Sequence, residues 1–284
     1  MKHILKEGQL SILLPEGEGG ALSGEVHLLK YKGERYVVRK CSTLLKAKYY
    51  EAISKKLEKY NFLPKFLGRF GKDVLYEFIN GRDLRRNERG FVFEQLGEIG
   101  AFINKQKINS NPNFKFNKIL GELVSGKYVS SVKVLMRRKR SRIRKKPKIV
   151  LSIKESNKIK ELYSYLMRKT KAQIRMDISD FVPGNFRLRR GKVYLVDVEA
   201  IKPAIKGMGV AKCFRGFCNT KKRKELFIKG YTKVYSTNFL NEIYLDLCNL
   251  LFAVQAIHFK EQVKRDYQED LGKIKRLLKK YSLI

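Results

Sequence analysis

The sequence predicts an α+β protein in which a small antiparallel β lobe is followed by a larger α-helical lobe. Short apolar runs separated by glycine-containing turns fill the first 80 residues, a pattern typical of strands. Over most of the remaining chain, apolar residues recur at helical spacing. We therefore expect a β-rich domain at residues 1–80 and a helical domain at residues 81–284, with a basic insert near residues 133–150.

The individual elements follow from the same patterns. A helix is expected over residues 44–60, where apolar residues lie on one face, and a β-hairpin is expected around residues 186–196, with a turn containing Gly191. The other expected strands are residues 10–14, 26–31, 36–39, 66–67 and 74–79. The other expected helices are residues 93–105, 156–170, 222–235 and, with interruptions, 238–281.

The chain is strongly basic. Its 284 residues include 63 Lys and Arg against 27 Asp and Glu, which gives a formal net charge of +36. Such a charge attracts polyanions. Most residues from Arg137 to Lys148 are Arg or Lys, so this segment cannot be a core element and is a candidate surface for RNA or another polyanion.

The cysteines and the apolar segments limit the cellular context. Cys41, Cys213, Cys218 and Cys248 form no CxxC pair, which favours reduced thiols in a cytoplasmic protein over disulfides or a zinc site. The longest apolar stretch, residues 248–257, is interrupted by polar residues and is too short for a membrane span. The N-terminus lacks an apolar segment of signal-peptide length. We expect no membrane span.

The most informative polar residues flank the expected hairpin. Asp180 and Asn185 belong to one loop that contains a Pro-Gly turn, and Asp197 ends the apolar strand 193–196. One carboxylate can act as a base, whereas an aspartate and an asparagine can hold a hard cation, which is the combination that phosphoryl transfer requires.

The β-rich part offers groups for binding phosphate. Backbone N–H groups of the glycine-rich stretch 17–24 can cover phosphates. In the strand at residues 36–40, Arg39 and Lys40 project from opposite faces, so one of them can face the cleft. Glu51 on the following helix is a candidate ion-pair partner, and Glu58 is an alternative.

Together these motifs resemble the protein-kinase-like superfamily, and most closely its aminoglycoside phosphotransferase and choline kinase branch. The resemblance covers about residues 10–235. Residues 178–185 (ISDFVPGN) are similar to the catalytic loop H-G-D-x-H-P-G-N, and residues 196–199 (VDVE) to the metal motif I-D-[WF]-E. Residues 36–39 (YVVR) resemble the strand Y-V-L-[RK], residues 74–81 (VLYEFING) the hinge strand that contacts adenine, and residues 96–102 (LGEIGAF) the helix after it.

The resemblance implies an ATP-dependent phosphotransferase that acts on the hydroxyl of a small molecule and uses Mg²⁺. Asp180 would be the catalytic base, and Asn185 and Asp197 would bind the metal, with Glu199 assisting. Arg39 would hold the phosphates, with Lys40 as the second candidate for this role, and Glu51 would orient whichever of the two does so. The remaining nucleotide contacts would come from Gly19, Gly20, Gly24, Glu77 and Ile79.

The sequence also departs from the family pattern. Ile178, Ser179 and Val182 stand where the catalytic loop has His, Gly and His, and Asn104 stands where the helix ends in Leu-His. The residues that support the catalytic loop are therefore altered. A degenerate kinase scaffold that binds RNA is one alternative, and an atypical Ser/Thr protein kinase is another, although no A-P-E motif follows Asp197.

The basic charge bears on the acceptor. A polycationic aminoglycoside would be repelled by the net charge, and the absence of Trp disfavours an aromatic choline site. An acidic acceptor is expected instead, such as a sugar phosphate or an anionic glycan.

Overall fold

The computed structural model describes residues 5, 8–12, 24–85, 87–107, 113–125, 150–263 and 265–283. The basic segment 137–148 and the glycines Gly19 and Gly20 lie outside these residues. The strands are β1 (Gln9–Ile12), β2 (Gly24–Tyr31), β3 (Glu34–Cys41), β4 (Phe66–Phe70), β5 (Asp73–Glu77), β6 (Arg82–Asp83), β7 (Ile174–Ile178), β8 (Phe186–Arg189), β9 (Lys192–Leu195) and β10 (Ile201–Ile205). The helices are α1 (Leu44–Leu57), α2 (Gly90–Asn104), α3 (Asn113–Ser125), α4 (Ile153–Thr170), α5 (Met208–Arg215), α6 (Lys221–Thr232), α7 (Glu242–Gln262) and α8 (Gln268–Lys280).

The first five strands form one antiparallel sheet in the order β1-β2-β3-β5-β4. Lys32 and Gly33 connect β2 to β3 and both have positive φ, 49° and 80°, as a tight turn between twisted strands requires. Leu29, Val38 and Leu75 form a small core on this sheet. Because an antiparallel sheet precedes a mostly helical chain, the expected α+β class is confirmed.

Two glycines allow helices α2 and α6 to pack closely. A Cβ atom on Gly97 would lie 2.0 Å from the carbonyl oxygen of Phe227, and one on Gly230 would lie 1.9 Å from that of Glu94. Neither position can carry a side chain without separating the helices. The pair also buries Tyr231, whose hydroxyl reaches the C-terminal end of α2.

The described residues group into two compact units, neither of which is continuous in sequence. One unit draws on residues 1–106, 176–202 and 212–235, and the other on residues 107–175, 203–211 and 236–284. The domain boundary expected at residue 80 stays a prediction.

The second unit has its own apolar core, built from α3, α4, α7 and α8. Helix α4 begins with a capping box in which Ser152 and Glu155 bond each other's backbone N–H groups. Residues 242–261, which lie in α7, are long and apolar enough to cross a membrane, but half of the apolar window is buried inside the protein, as in a core helix. The absence of a membrane span stays a prediction.

Several elements do not follow from the sequence pattern. The long helical region 238–281 forms two helices, α7 and α8. Helices α3 and α5 and strands β6, β7 and β10 were not expected. β6 has only two residues, and β10 contains Pro203, which lowers strand propensity. These short elements depend on their partners, since β6 pairs with β8 and β10 pairs with β7.

Candidate active site

The loop after β7 is tied to the segment that follows β9. The backbone N–H and the Oγ of Ser179 both donate to the carbonyl oxygen of Ala200, at 2.7 and 3.0 Å. Asn185 donates from Nδ2 to the carbonyl oxygen of Asp180 at 2.7 Å, and its own carbonyl oxygen accepts the N–H of Val196 at 2.9 Å. These bonds bring Asp180, Asn185 and the residue before Asp197 together.

Asp197 caps the short 3₁₀ turn Val198–Ala200. Its Oδ1 accepts the backbone N–H of Glu199 at 3.1 Å and a hydrogen bond from Nη2 of Arg39 at 2.8 Å. Burial raises the pKa of the Asp197 carboxyl above its ordinary value, against the opposing charge of Arg39, and the neighbouring Glu199 raises it further. A further positive charge nearby would therefore favour the ionised form of this carboxyl.

Arg39 connects the N-terminal sheet to this acidic segment. Its side chain is buried on β3, with the residue 8% exposed, and Nη1 donates to Oε2 of Glu199 at 2.8 Å. Burial opposes the charge of the guanidinium, but Asp197, Tyr50 and Glu199 hold its pKa above the ordinary value. Lys40, the next residue of the strand, projects from the opposite face. Of the two candidate cations, Arg39 is the one that meets the acidic motif.

The expected pairing of Glu51 with Arg39 is wrong. Oε2 of Glu51 lies 2.5 Å from Nε of Arg69 on β4, and Oε1 lies 2.8 Å from Nζ of Lys55. The physical reason is that Arg39 already has two carboxylate partners, while Glu51 lies where α1 packs on β4.

Lys46, and not Glu51, is the residue of α1 that reaches the acidic motif. Its Nζ lies 3.0 Å from Oε1 of Glu199, so that Glu199 bridges Lys46 and Arg39. The sequence does carry a signal for this contact. A lysine in the first turn of a helix lies at the positive end of the helix dipole, which favours an acidic partner nearby.

Asp180 has a cationic partner that the sequence did not suggest. Nζ of Lys212, on α5, lies 2.5 Å from Oδ1 of Asp180. The other carboxylate oxygen of Asp180 lies 3.4 Å from Nδ2 of Asn185. The Asp180 side chain is 50% exposed, so a substrate hydroxyl can reach it.

Asn104, which stands where the family has His, supports the strand that leads into the loop. It is fully buried at the end of α2 and donates from Nδ2 to the carbonyl oxygen of Met176 at 2.9 Å. Its Oδ1 accepts the hydroxyl of Tyr231 at 2.9 Å. An amide thus links α2, β7 and α6 two residues before Ile178.

The remaining predicted site residues lie elsewhere in the same compact unit. Gly24 begins β2 opposite Cys41. The N–H of Glu77, at the end of β5, donates to the carbonyl oxygen of Lys65 at 3.0 Å, and the carbonyl oxygen of the buried Ile79 accepts the N–H of Gly81 at 2.9 Å. Within the described residues, none of the hydrogen bonds or ion pairs found joins these three residues to Asp180 or Asp197. Their roles stay predictions.

Asn185 and Asp197 each keep an oxygen that can bind a magnesium ion. Asn185 donates from its amide nitrogen, which leaves the amide oxygen for a cation. Asp197 uses Oδ1 for both hydrogen bonds, and no bond to its Oδ2 is found among the described residues. No group of three or more His, Cys, Asp and Glu suited to a metal occurs in the described chain. Two oxygen ligands fit Mg²⁺, which is commonly bound by one or two protein groups together with phosphates and water.

Comparisons with known proteins show which solved structures have a similar fold. No family model and no curated sequence matches the chain. Among solved structures, an ethanolamine kinase from Plasmodium vivax is 14% identical with a TM-score of 0.61, covering 97% of this chain and 83% of that one. The choline kinase LicA from Streptococcus pneumoniae is 15% identical with a TM-score of 0.60, covering 98% and 95%.

A spectinomycin phosphotransferase, solved with ADP and spectinomycin, is 14% identical with a TM-score of 0.59, covering 98% of this chain and 92% of that one. At these identities the likeness establishes the fold. The resemblance seen in the sequence motifs is confirmed at that level. The chain has the protein-kinase-like fold that choline kinases, ethanolamine kinases and antibiotic phosphotransferases share.

Proposed function

We propose that the protein is an ATP-dependent kinase that transfers the γ-phosphate of ATP to a hydroxyl of a small molecule. One observation carries the proposal: the accessible carboxylate of Asp180 lies beside Asn185, whose backbone is bonded to the residue before Asp197. A base next to two oxygen ligands for a cation is the arrangement that phosphoryl transfer to an alcohol uses.

In the proposed reaction Asp180 accepts the proton of the acceptor hydroxyl. The hydroxyl oxygen forms a bond to the γ-phosphorus, and the bond from the γ-phosphorus to the β–γ bridging oxygen breaks, so that ADP leaves. Catalysis of this kind depends mainly on positioning and on stabilising charge, since the protein forms no covalent bond. The bonds from Ser179 to Ala200 hold the loop of Asp180 in place for this role.

Asn185 and Asp197 would hold Mg²⁺, which when bound neutralises the negative charge of the phosphates. Arg39 orients Asp197 through the 2.8 Å hydrogen bond. Each terminal nitrogen of Arg39 donates one N–H to a carboxylate and keeps a second one, which can bind a phosphate oxygen. The ADP of the spectinomycin phosphotransferase structure, and the AMP-PNP and Ca²⁺ of an amicoumacin kinase with a TM-score of 0.58 and 14% identity, support a nucleotide and a divalent cation.

The acceptor is proposed to be anionic, as in a sugar phosphate or a glycan. The support is the net charge of +36, which attracts anions and repels a polycation. The proposed roles of Gly19, Gly20 and the segment 137–148 rest on the sequence alone.

The first test is thermal unfolding with and without Mg²⁺ and ATP. A ligand at about 100 times its Kd adds roughly 2.7 kcal/mol to a protein that binds it only when folded. We expect a magnesium-dependent rise in Tm that Asp197→Asn abolishes. Asp266→Asn is the matched control. Like Asp197, the exposed Asp266 accepts with Oδ1 the backbone N–H of the residue two positions later, which is Gln268 at 3.0 Å. No rise in the wild type at saturating nucleotide would contradict the proposed function.

A further inference from the structure

The contact between Lys212 and Asp180 has no counterpart in the motifs that predicted the site. The two residues are 32 positions apart, and Nζ lies 2.5 Å from Oδ1. An ammonium group therefore lies directly on the proposed base.

Folding stability does not account for this contact. The side chains of Lys212 and Asp180 are 36% and 50% exposed. Both charges are hydrated well enough to exist without a partner, and ion pairs this exposed contribute little to the free energy of unfolding. A role in the chemistry of the site explains the pair better.

The backbone that carries Lys212 is held firmly. Its neighbours Ala211 and Cys213 are buried, and the carbonyl oxygen of Cys213 accepts the N–H of Cys218 at 2.8 Å. The ring of Phe214 meets that of Phe227 edge-on at 5.3 Å. Because its helix turn is packed, Lys212 can present its amine to Asp180 with little loss of backbone freedom on binding substrate.

We propose that Lys212 completes the phosphoryl-transfer site. It holds Oδ1 of Asp180, so that the acceptor hydroxyl can bond to Oδ2, whose one partner found among the described residues is Nδ2 of Asn185 at the long distance of 3.4 Å. It also places a positive charge beside the phosphoryl group in transit. The base and the phosphorus both contact the acceptor oxygen in the transition state, so a cation on the base lies within reach of the phosphoryl oxygens. A fixed charge aimed at such oxygens stabilises the transition state more than the bound substrate. This inference rests on the proposed function.

The test compares Lys212→Met and Lys212→Arg with the wild type. The control is Lys229→Met, because Lys229 also forms an exposed ion pair in the same unit, 2.9 Å from Glu94. Three quantities are measured: Mg²⁺-dependent hydrolysis of ATP with water as acceptor, the Kd of AMP-PNP with Mg²⁺, and Tm. A fourth measurement needs no turnover: the affinity for ADP, Mg²⁺ and aluminium fluoride, which mimics the phosphoryl group in transit.

For Lys212→Met we expect about a 10²-fold fall in hydrolysis rate and at least a tenfold loss of affinity for the aluminium fluoride complex. The Kd of AMP-PNP and the Tm should stay close to those of the wild type. Lys212→Arg should recover part of the rate, because it keeps the charge, and Lys229→Met should resemble the wild type. A merely structural lysine would change Tm and leave the aluminium fluoride affinity intact.

Two failures are distinguishable. In the first, the wild type binds AMP-PNP, but Lys212→Met binds the aluminium fluoride complex as tightly as the wild type does and hydrolyses ATP within threefold of the wild-type rate. That result overturns the assignment of Lys212 and leaves the proposed function standing. If the wild type shows no Mg²⁺-dependent binding of AMP-PNP, the proposed function is overturned and the assignment with it.

Discussion

Arg39 and Asp197, which are 158 positions apart in the sequence, are joined by a hydrogen bond of 2.8 Å between Nη2 and Oδ1. The same guanidinium binds Glu199, so one buried cation serves both acids of the motif VDVE. This bond links the third strand of the sheet to the segment after β9. It gives Asp197 a set orientation before any ligand binds.

Asp180→Asn should lower turnover strongly while leaving nucleotide binding intact. The amide cannot accept the proton of the hydroxyl, and loss of a general base typically lowers kcat by about 10²–10⁴-fold. The exposed side chain makes a large change in stability unexpected. The measurement is ATP turnover together with the Kd of AMP-PNP. Turnover close to that of the wild type would rule out Asp180 as the base.

Arg39→Met should destabilise the protein, because it leaves the neighbouring carboxylates of Asp197 and Glu199 without their shared partner. Removing one member of a buried ion pair typically costs about 3–5 kcal/mol. Urea unfolding measures the change. The control is Arg69→Met, whose pair with Glu51 lies nearer to water and should cost less. Equal losses in the two variants would contradict the central position of Arg39.

Gly97→Ala and Gly230→Ala should each destabilise the fold strongly. A Cβ at either position would overlap a carbonyl oxygen of the facing helix at 2.0 or 1.9 Å, so α2 and α6 would have to separate. Gly121→Ala in α3 is the matched control, since no atom lies within 4 Å of its Cβ position, and it should stabilise its helix by about 0.5–1 kcal/mol. Thermal unfolding of the three variants measures the effect, and the Tm of Gly121→Ala should be the highest of the three. Similar Tm values for Gly97→Ala and the wild type would refute the close packing.

The four cysteine thiols should react with a thiol reagent only after unfolding. All four are buried, and burial raises the pKa of the Cys213 thiol well above its ordinary value. The thiolate of Cys213 is therefore scarce at pH 8, even though its Sγ lies 3.2 Å from Sγ of Cys218, and burial keeps the reagent from the other three thiols. Titration with a chromogenic disulfide should detect less than one thiol per native chain and four in denaturant. Rapid labelling of the native protein would contradict the burial.

The sequence alone predicted the local structure well where a pattern repeats within a short segment. The hairpin of β8 and β9 and the strand that carries Arg39 lie where the alternation of residues indicated. Short elements such as β6 and β10 were missed, because two to five residues carry too little pattern and their pairing comes from strands far along the chain.

The choice of partners was decided only by the tertiary structure. Sequence spacing allowed Glu51 to face Arg39. In the structure, α1 packs on β4, so that Glu51 forms its ion pair with Arg69 and Lys46 forms one with Glu199. Lys212 had no signal of its own. An ion pair between distant residues depends on which helix face and which strand face come together, and that is set by burial of the apolar faces. The sequence by itself therefore determined the motifs that hold Asp180, Asn185 and Asp197, and the fold determined which cations meet them.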